Sequence, residues 1–276
     1  MQETLPHARE FVELSAGKCH FSIDGPASGK TLLLIHGATV PLWQFDRVVP
    51  FFNRLGIRTI RLDLFGHGYS DRPEVRHDYA LFTGQVLELL EYIGVADGLH
   101  LLGHSLGAAI AARLVLTEPG RFGALVLTAP VLNFMQNRPA ARLLRVPLLG
   151  ELLMDHYVVP MLVRRRTRRY RDIQGGRFVG LFRDQLRLPG FGRSLLSLIR
   201  SDALADQRSC YAALATLANR VLILAASGDQ IATPAHMGVL CDLLPAAQFF
   251  DIDGAEHALV LTHPEQVASH TIQFLR

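Results

Sequence analysis

Leu32-Leu33-Leu34-Ile35 and Val221-Leu222-Ile223-Leu224 are short apolar runs without a polar break. A strand that is apolar on both faces must be covered on both faces, which suits a parallel sheet with helices above and below it. Counting these two, strands are expected at 18–23, 31–36, 58–62, 99–103, 124–128, 220–226 and 248–252. Between them the apolar spacing changes to the helical period, around 45–55, 81–93, 106–117, 234–243 and 264–275. The last of these opens on Pro264-Glu265, which suits a first helical turn. Alternating strands and helices predict an α/β fold, with a mostly parallel sheet flanked by helices.

One interval breaks the alternation. From 134 to 208 the pattern reads as several short helices punctuated by Pro139, Pro147, Pro160 and Pro189. It is too long for a plain loop. The expected organisation is therefore a core from 1–133 and 209–276, with an inserted helical subdomain at 134–208.

Composition narrows the rest. The 276 residues are 49% hydrophobic and 19% charged, which excludes a disordered chain and allows a sizeable core. No basic leader followed by an apolar stretch stands at the start, and no run reaches the ~18 apolar residues of a membrane span. Cys19, Cys210 and Cys241 are odd in number and widely spaced, so they fit neither a disulfide framework nor a metal site. They are expected to be packed apolar residues in a cytoplasmic protein. Only Lys18 and Lys30 among the 28 basic residues are lysine, the rest being arginine.

The stretch Gly25-Pro26-Ala27-Ser28-Gly29-Lys30-Thr31 imitates a phosphate-binding loop, but three residues rather than four separate its glycines. It also runs into a strand instead of a helix. A hairpin turn is expected there.

Gly103-His104-Ser105-Leu106-Gly107 is different, because it joins an expected strand to an expected helix. In G-x-S-x-G the serine sits on a strained turn that exposes its hydroxyl, and side chains two residues either side would collide with that turn. Serine at neutral pH needs a general base and an orienting acid, which follow in the chain order acid, then histidine. Asp229 lies in a turn after the strand 220–226, and His257 lies after the strand 248–252. The other histidines beyond Asp229, at 236, 263 and 270, fall in or beside helices. Asp251 and Asp253 stand too close to His257, and Asn133 cannot ionise. Ser105, His257 and Asp229 are therefore the expected catalytic residues. The oxyanion donors are expected to be the N–H groups of Ala38, in the loop after an early strand, and Leu106, which opens the helix. Gly37, Trp43 and His104 are placed at the substrate pocket, with packing beneath the loop as the other reading of Trp43.

Taken together, His36-Gly37, the run Asp63-Leu64-Phe65-Gly66-His67-Gly68-Tyr69-Ser70, Gly103–Gly107, Gly228-Asp229 and Gly254-Ala255-Glu256-His257 resemble the α/β-hydrolase superfamily. The resemblance spans the core and leaves 134–208 where that superfamily carries a helical cap. It implies the esterase and monoacylglycerol-lipase-like branch, a carboxylic ester as substrate, no cofactor and no metal. In it the segment 63–70 shapes a turn beside the site and is not catalytic. Serine at 105 disfavours dehalogenase and epoxide hydrolase, which use aspartate, and dienelactone hydrolase, which uses cysteine. Ala258 after His257 weakens the alternative of a C–C hydrolase of ring-fission type, where tryptophan is usual. A slow hydrolase-like ligand sensor is the remaining alternative.

The insert concentrates the positive charge. It holds 15 arginines against six acids, +9, and the rest of the chain holds 13 basic residues against 19 acids, −6, which recovers the net +3. Its apolar stretch 146–163 suits a wall for an acyl chain. The cluster Arg164-Arg165-Arg166-Thr167-Arg168-Arg169-Tyr170-Arg171 reads as a solvated helix face, with peripheral contact to an anionic membrane surface as the alternative. Nothing in the sequence supports nucleic acid as a partner. A lipophilic monoester or monoacylglycerol is the expected substrate.

Overall fold

The chain enters the fold through one antiparallel pair of strands and then alternates. The computed structural model describes residues 10–95, 97–133, 139–217 and 219–276. In chain order its elements are β1 (Glu10–Leu14), β2 (Gly17–Asp24), β3 (Thr31–Ile35), α1 (Val49–Arg54), β4 (Arg58–Leu62), α2 (Tyr79–Tyr92), β5 (Leu99–His104), α3 (Leu106–Thr117) and β6 (Phe122–Thr128). Five helices follow: α4 (Pro139–Leu144), α5 (Leu149–Leu153), α6 (Val159–Arg169), α7 (Arg177–Arg187) and α8 (Phe191–Arg200). The chain then completes the alternation with α9 (Arg208–Leu214), β7 (Val221–Ala226), α10 (Pro234–Leu243), β8 (Gln248–Ile252), α11 (Leu259–Thr262) and α12 (Pro264–Leu275).

The strands form one sheet in the order β1-β2-β4-β3-β5-β6-β7-β8. Pairing is parallel from β4 through β8, and β2 runs against both of its neighbours. This is the α/β-hydrolase fold that the resemblance implies. The central strands β3, β5, β6 and β7 are buried along nearly their whole length, whereas β1 and β8 at the edges are largely exposed. β1 has only five residues, and Glu10 and Glu13 among them break any alternation, so it is too short and too charged to signal a strand. The expected helix at 45–55 resolves into a single 3₁₀ turn, Leu42–Phe45, and the short α1.

The segment 25–30 is not a hairpin turn. β4 lies between β2 and β3, so the chain leaves β2, passes over the start of β4 and returns on its far side. Gly29 N–H donates to the Pro26 carbonyl at 3.1 Å, and a Cβ at Gly29 would lie 2.0 Å from the Gly56 carbonyl oxygen. The glycines serve this crossing over backbone.

α3 is built for close approach. Ala108, Ala109, Ala111 and Ala112 are all buried, so the helix axis comes down onto β3, β5 and β6. α9 packs against α3, so residue 208, the expected end of the insert, already opens a helix lying on the core. Cys19 and Cys210 are buried, and burial pushes the Cys19 thiol up to about 12. Cys241 is partly exposed. Among the described residues no helix is long and apolar enough to cross a membrane, and no group of ligating side chains could hold a metal ion.

Candidate active site

Ser105 is the link between β5 and α3, and its backbone stands at φ 54°, ψ −113°. A non-glycine residue rarely takes this conformation, and it costs of order 1–3 kcal/mol unless the surroundings impose it. Here they do. A Cβ at Gly103 would lie 2.2 Å from the Gly107 carbonyl oxygen, and one at Gly107 would lie 2.1 Å from the Ile35 carbonyl oxygen. Both glycines are required because backbone fills the space. Ser105 is 8% exposed, and its Oγ lies 2.9 Å from His257 Nε2.

His257 Nδ1 lies 2.8 Å from Asp229 Oδ2. A carboxylate only accepts, so Nδ1 carries the proton and Nε2 is left to accept from the serine hydroxyl. Asp229 is buried, and its other oxygen accepts from the N–H groups of Ile231 at 2.7 Å and Ala232 at 3.0 Å. Those two bonds set the carboxylate's plane at the end of β7. The three residues come from three strand ends separated by 152 and 28 positions in the chain, and the parallel sheet brings those ends together.

Ala38 and Leu106 both line the cavity that contains Ser105 and His257. Leu106 is the first residue of α3, where a backbone N–H has no partner within the helix. The loop carrying Gly37 and Ala38 is fixed by a buried network. His36 Nε2 accepts from Leu64 N–H at 2.9 Å, and Asp63 accepts from the N–H groups of Leu42 at 2.8 Å and Tyr69 at 2.9 Å. Burial lowers the pKa of His36, which keeps it neutral and able to accept. The segment 63–70 thus braces the site without facing the cavity.

Gly37 and His104 line a small recess of about 20 Å³ together with Ala38, Ser105, Arg166 and His257. His104 is a second imidazole, 5.2 Å ring to ring from His257. Burial first, then the charges of His257 and Arg166, hold its pKa well below the usual histidine value. The Thr128 hydroxyl donates to the Gly103 carbonyl at 3.2 Å, so it accepts from His104 Nδ1–H at 3.1 Å. His104 is a neutral wall beside His257. Trp43 stands elsewhere: it packs edge-on against Phe178 of α7 in a cluster with Tyr170, and it does not line the cavity.

The cavity above Ser105 measures about 290 Å³. Val131, Leu144, Val158, Met161, Leu162 and Leu195 make much of its wall, and most of these belong to the helices between β6 and β7. Three polar residues on it were not anticipated: Thr39, Arg165 and Arg166. Arg166 follows Leu162 by one helical turn, and that spacing was the available signal that it shares the inward face. Gln185 was also missed. It is 2% exposed and reaches from α7 to the Thr39 carbonyl at 2.9 Å.

The profile of the alpha/beta hydrolase family matches residues 32–270. Among curated proteins, a non-heme chloroperoxidase of Streptomyces lividans is 27% identical over 267 residues, covering 91% of this chain and 94% of its own. A bifunctional esterase/perhydrolase of Acinetobacter calcoaceticus is 24% identical over 272 residues, with 91% and 94% covered. Among solved structures, the enol-lactonase of Burkholderia xenovorans superposes with a TM-score of 0.80 at 19% identity, over 96% of this chain and 99% of that one.

Proposed function

The chain belongs to the alpha/beta hydrolase family, and from that premise we propose that it hydrolyses carboxylic esters through Ser105, His257 and Asp229. The observation that carries the reading is the continuous hydrogen-bond chain, 2.9 Å and then 2.8 Å, beneath an apolar cavity. Ser105 Oγ attacks the ester carbonyl carbon while His257 Nε2 takes its proton. Asp229 holds the imidazole tautomer and stabilises the imidazolium. The oxyanion is received by the N–H groups of Ala38 and Leu106. Collapse breaks the C–O bond as His257 returns the proton to the leaving alkoxide. Water then attacks the acyl-enzyme by the same route and releases the acid.

The apolar wall supports a lipophilic monoester or monoacylglycerol as substrate. The names of the esterase/perhydrolase and the enol-lactonase, both agents of acyl chemistry, support the reaction class. We read the helices between β6 and β7 as a cap over the site. On it Leu148, Leu152 and Tyr157 are 84%, 54% and 66% exposed, and α6 carries a row of arginines, which together support peripheral contact with an anionic lipid surface. Sedimentation with vesicles containing phosphatidylserine tests this contact, and equal binding to neutral vesicles would contradict it.

Ser105→Ala is expected to abolish turnover of 4-nitrophenyl butyrate, and undiminished activity would end the reading. A preference for acetyl esters that declines by butyryl would remove the lipophilic substrate. Fast labelling by a fluorophosphonate with negligible turnover would favour the ligand sensor. Cleavage of a ring-fission dienoate with no ester activity would favour the C–C hydrolase.

A further inference from the structure

The wall of the cavity is apolar except around the catalytic groups and at three further side chains. Thr39 is 7% exposed, and its Oγ1 is buried without a hydrogen-bond partner. Leaving a buried hydroxyl unpaired is unfavourable. The residue nevertheless lines the cavity, at φ 76°, directly after Ala38.

Arg165 and Arg166 follow one another on α6 and line the same cavity. Arg166 also lines the small recess with Gly37, His104, Ser105 and His257. Among the described residues its guanidinium makes one long hydrogen bond, 3.4 Å to the Tyr170 hydroxyl, and lies 5.8 Å from that ring's centre. No described carboxylate stands within ion-pair distance of Arg165 or Arg166, and no acid lines the cavity. Other insert arginines have such partners: Arg169 pairs with Glu256, Arg177 with Asp46 and Arg200 with Glu151. A guanidinium beside apolar walls is strongly favoured when a bidentate anion meets it.

We propose that the substrate carries a carboxylate besides its ester bond, held by Arg166 with Arg165 beside it. This rests on the ester-hydrolase reading of the same site. The insert thereby supplies both the apolar wall and the charge that selects the substrate, which reconciles its basicity with its hydrophobic face.

The test compares kcat/KM within two matched pairs on the full chain. Mono-4-nitrophenyl glutarate against 4-nitrophenyl pentanoate carries the carboxylate on the acyl half. 4-Acetoxybenzoate against its methyl ester carries it on the alcohol half. At least one carboxylated member is expected to be preferred by about tenfold or more, the effect of one charge-assisted hydrogen bond. That preference should fall by a similar factor in Arg166→Gln and be partly kept in Arg166→Lys. Preference for the neutral member in both pairs overturns the proposal, as does a preference that Arg166→Gln leaves intact. Inactivity toward all four esters would instead strike the ester-hydrolase reading. Calorimetric titration with benzoate then decides the carboxylate site alone: binding lost in Arg166→Gln supports it, and equal binding in both proteins overturns it.

Discussion

Gln185 Nε2 donates to the carbonyl oxygen of Thr39 at 2.9 Å, joining a helix of the insert to the loop that carries the expected oxyanion donor. Its Oε1 accepts from Gly68 N–H at 3.4 Å, so one buried amide spans two loops of the core. Thr39 stands at φ 76°, a conformation that persists only where the surroundings hold it. Replacing Gln185 with leucine is expected to lower kcat by about tenfold, one lost positioning hydrogen bond, with a smaller change in KM. Steady-state kinetics beside a melting curve checks this, and an unchanged kcat in a folded variant would contradict it.

The two glycines around Ser105 make a steric prediction. Alanine at Gly103 or Gly107 would drive a Cβ to 2.2 Å or 2.1 Å from backbone oxygens, and backbone cannot step aside cheaply. Either variant is expected to fold poorly or lose several kcal/mol. Gly84, within α2, has open space around its would-be Cβ. Gly84→Ala is expected to stabilise the protein by about 0.5–1 kcal/mol, read as a raised melting temperature.

Three buried histidines predict acid lability. Burial is the main cause that lowers the pKa of His36, His67 and His104 from 6.5, with neighbouring His36 adding to the shift at His67. Below that value the unfolded chain takes up protons that the folded protein refuses. Stability is therefore full above pH 6.5 and is lost as the pH falls, at up to about 1.4 kcal/mol per pH unit for each such group. Urea midpoints measured from pH 7.5 down to 5 should decline, and a flat profile would contradict the assignment.

Arg61 lies beneath the loops of the site with its side chain fully buried between Asp24 at 2.9 Å and Asp46 at 2.7 Å. Methionine in its place would remove the cation that Asp24 and Asp46 share, leaving Asp46 only the longer contact with Arg177 at 3.5 Å. A loss of about 3–5 kcal/mol is expected by denaturant titration. The double change that also removes Asp24 should recover part of it.

Much of the fold was legible because the signals are local. Leu32–Ile35 and Val221–Leu224 need cover on both faces wherever they lie, and the strand–glycine–serine–glycine–helix order at 99–117 leaves few other conformations. The order of Asp229 and His257 after Ser105, each at a strand end, was legible for the same reason. The turn at 25–30 was misread because a hairpin and a crossing have the same composition, and only the insertion of β4 between β2 and β3 separates them. β1 was missed because an edge strand with one wet face carries little apolar signal.

The sequence by itself therefore determined the alternation, the strained serine and the chain order of its partners, since all of these follow from residue size, backbone freedom and spacing. Only the folded chain shows that Trp43 packs against Phe178, and that Gln185 reaches Thr39 across 146 positions. Those outcomes depend on how the insert's helices turn over the strand ends, and a helix's rotation is set by the surface it packs on, not by its own sequence.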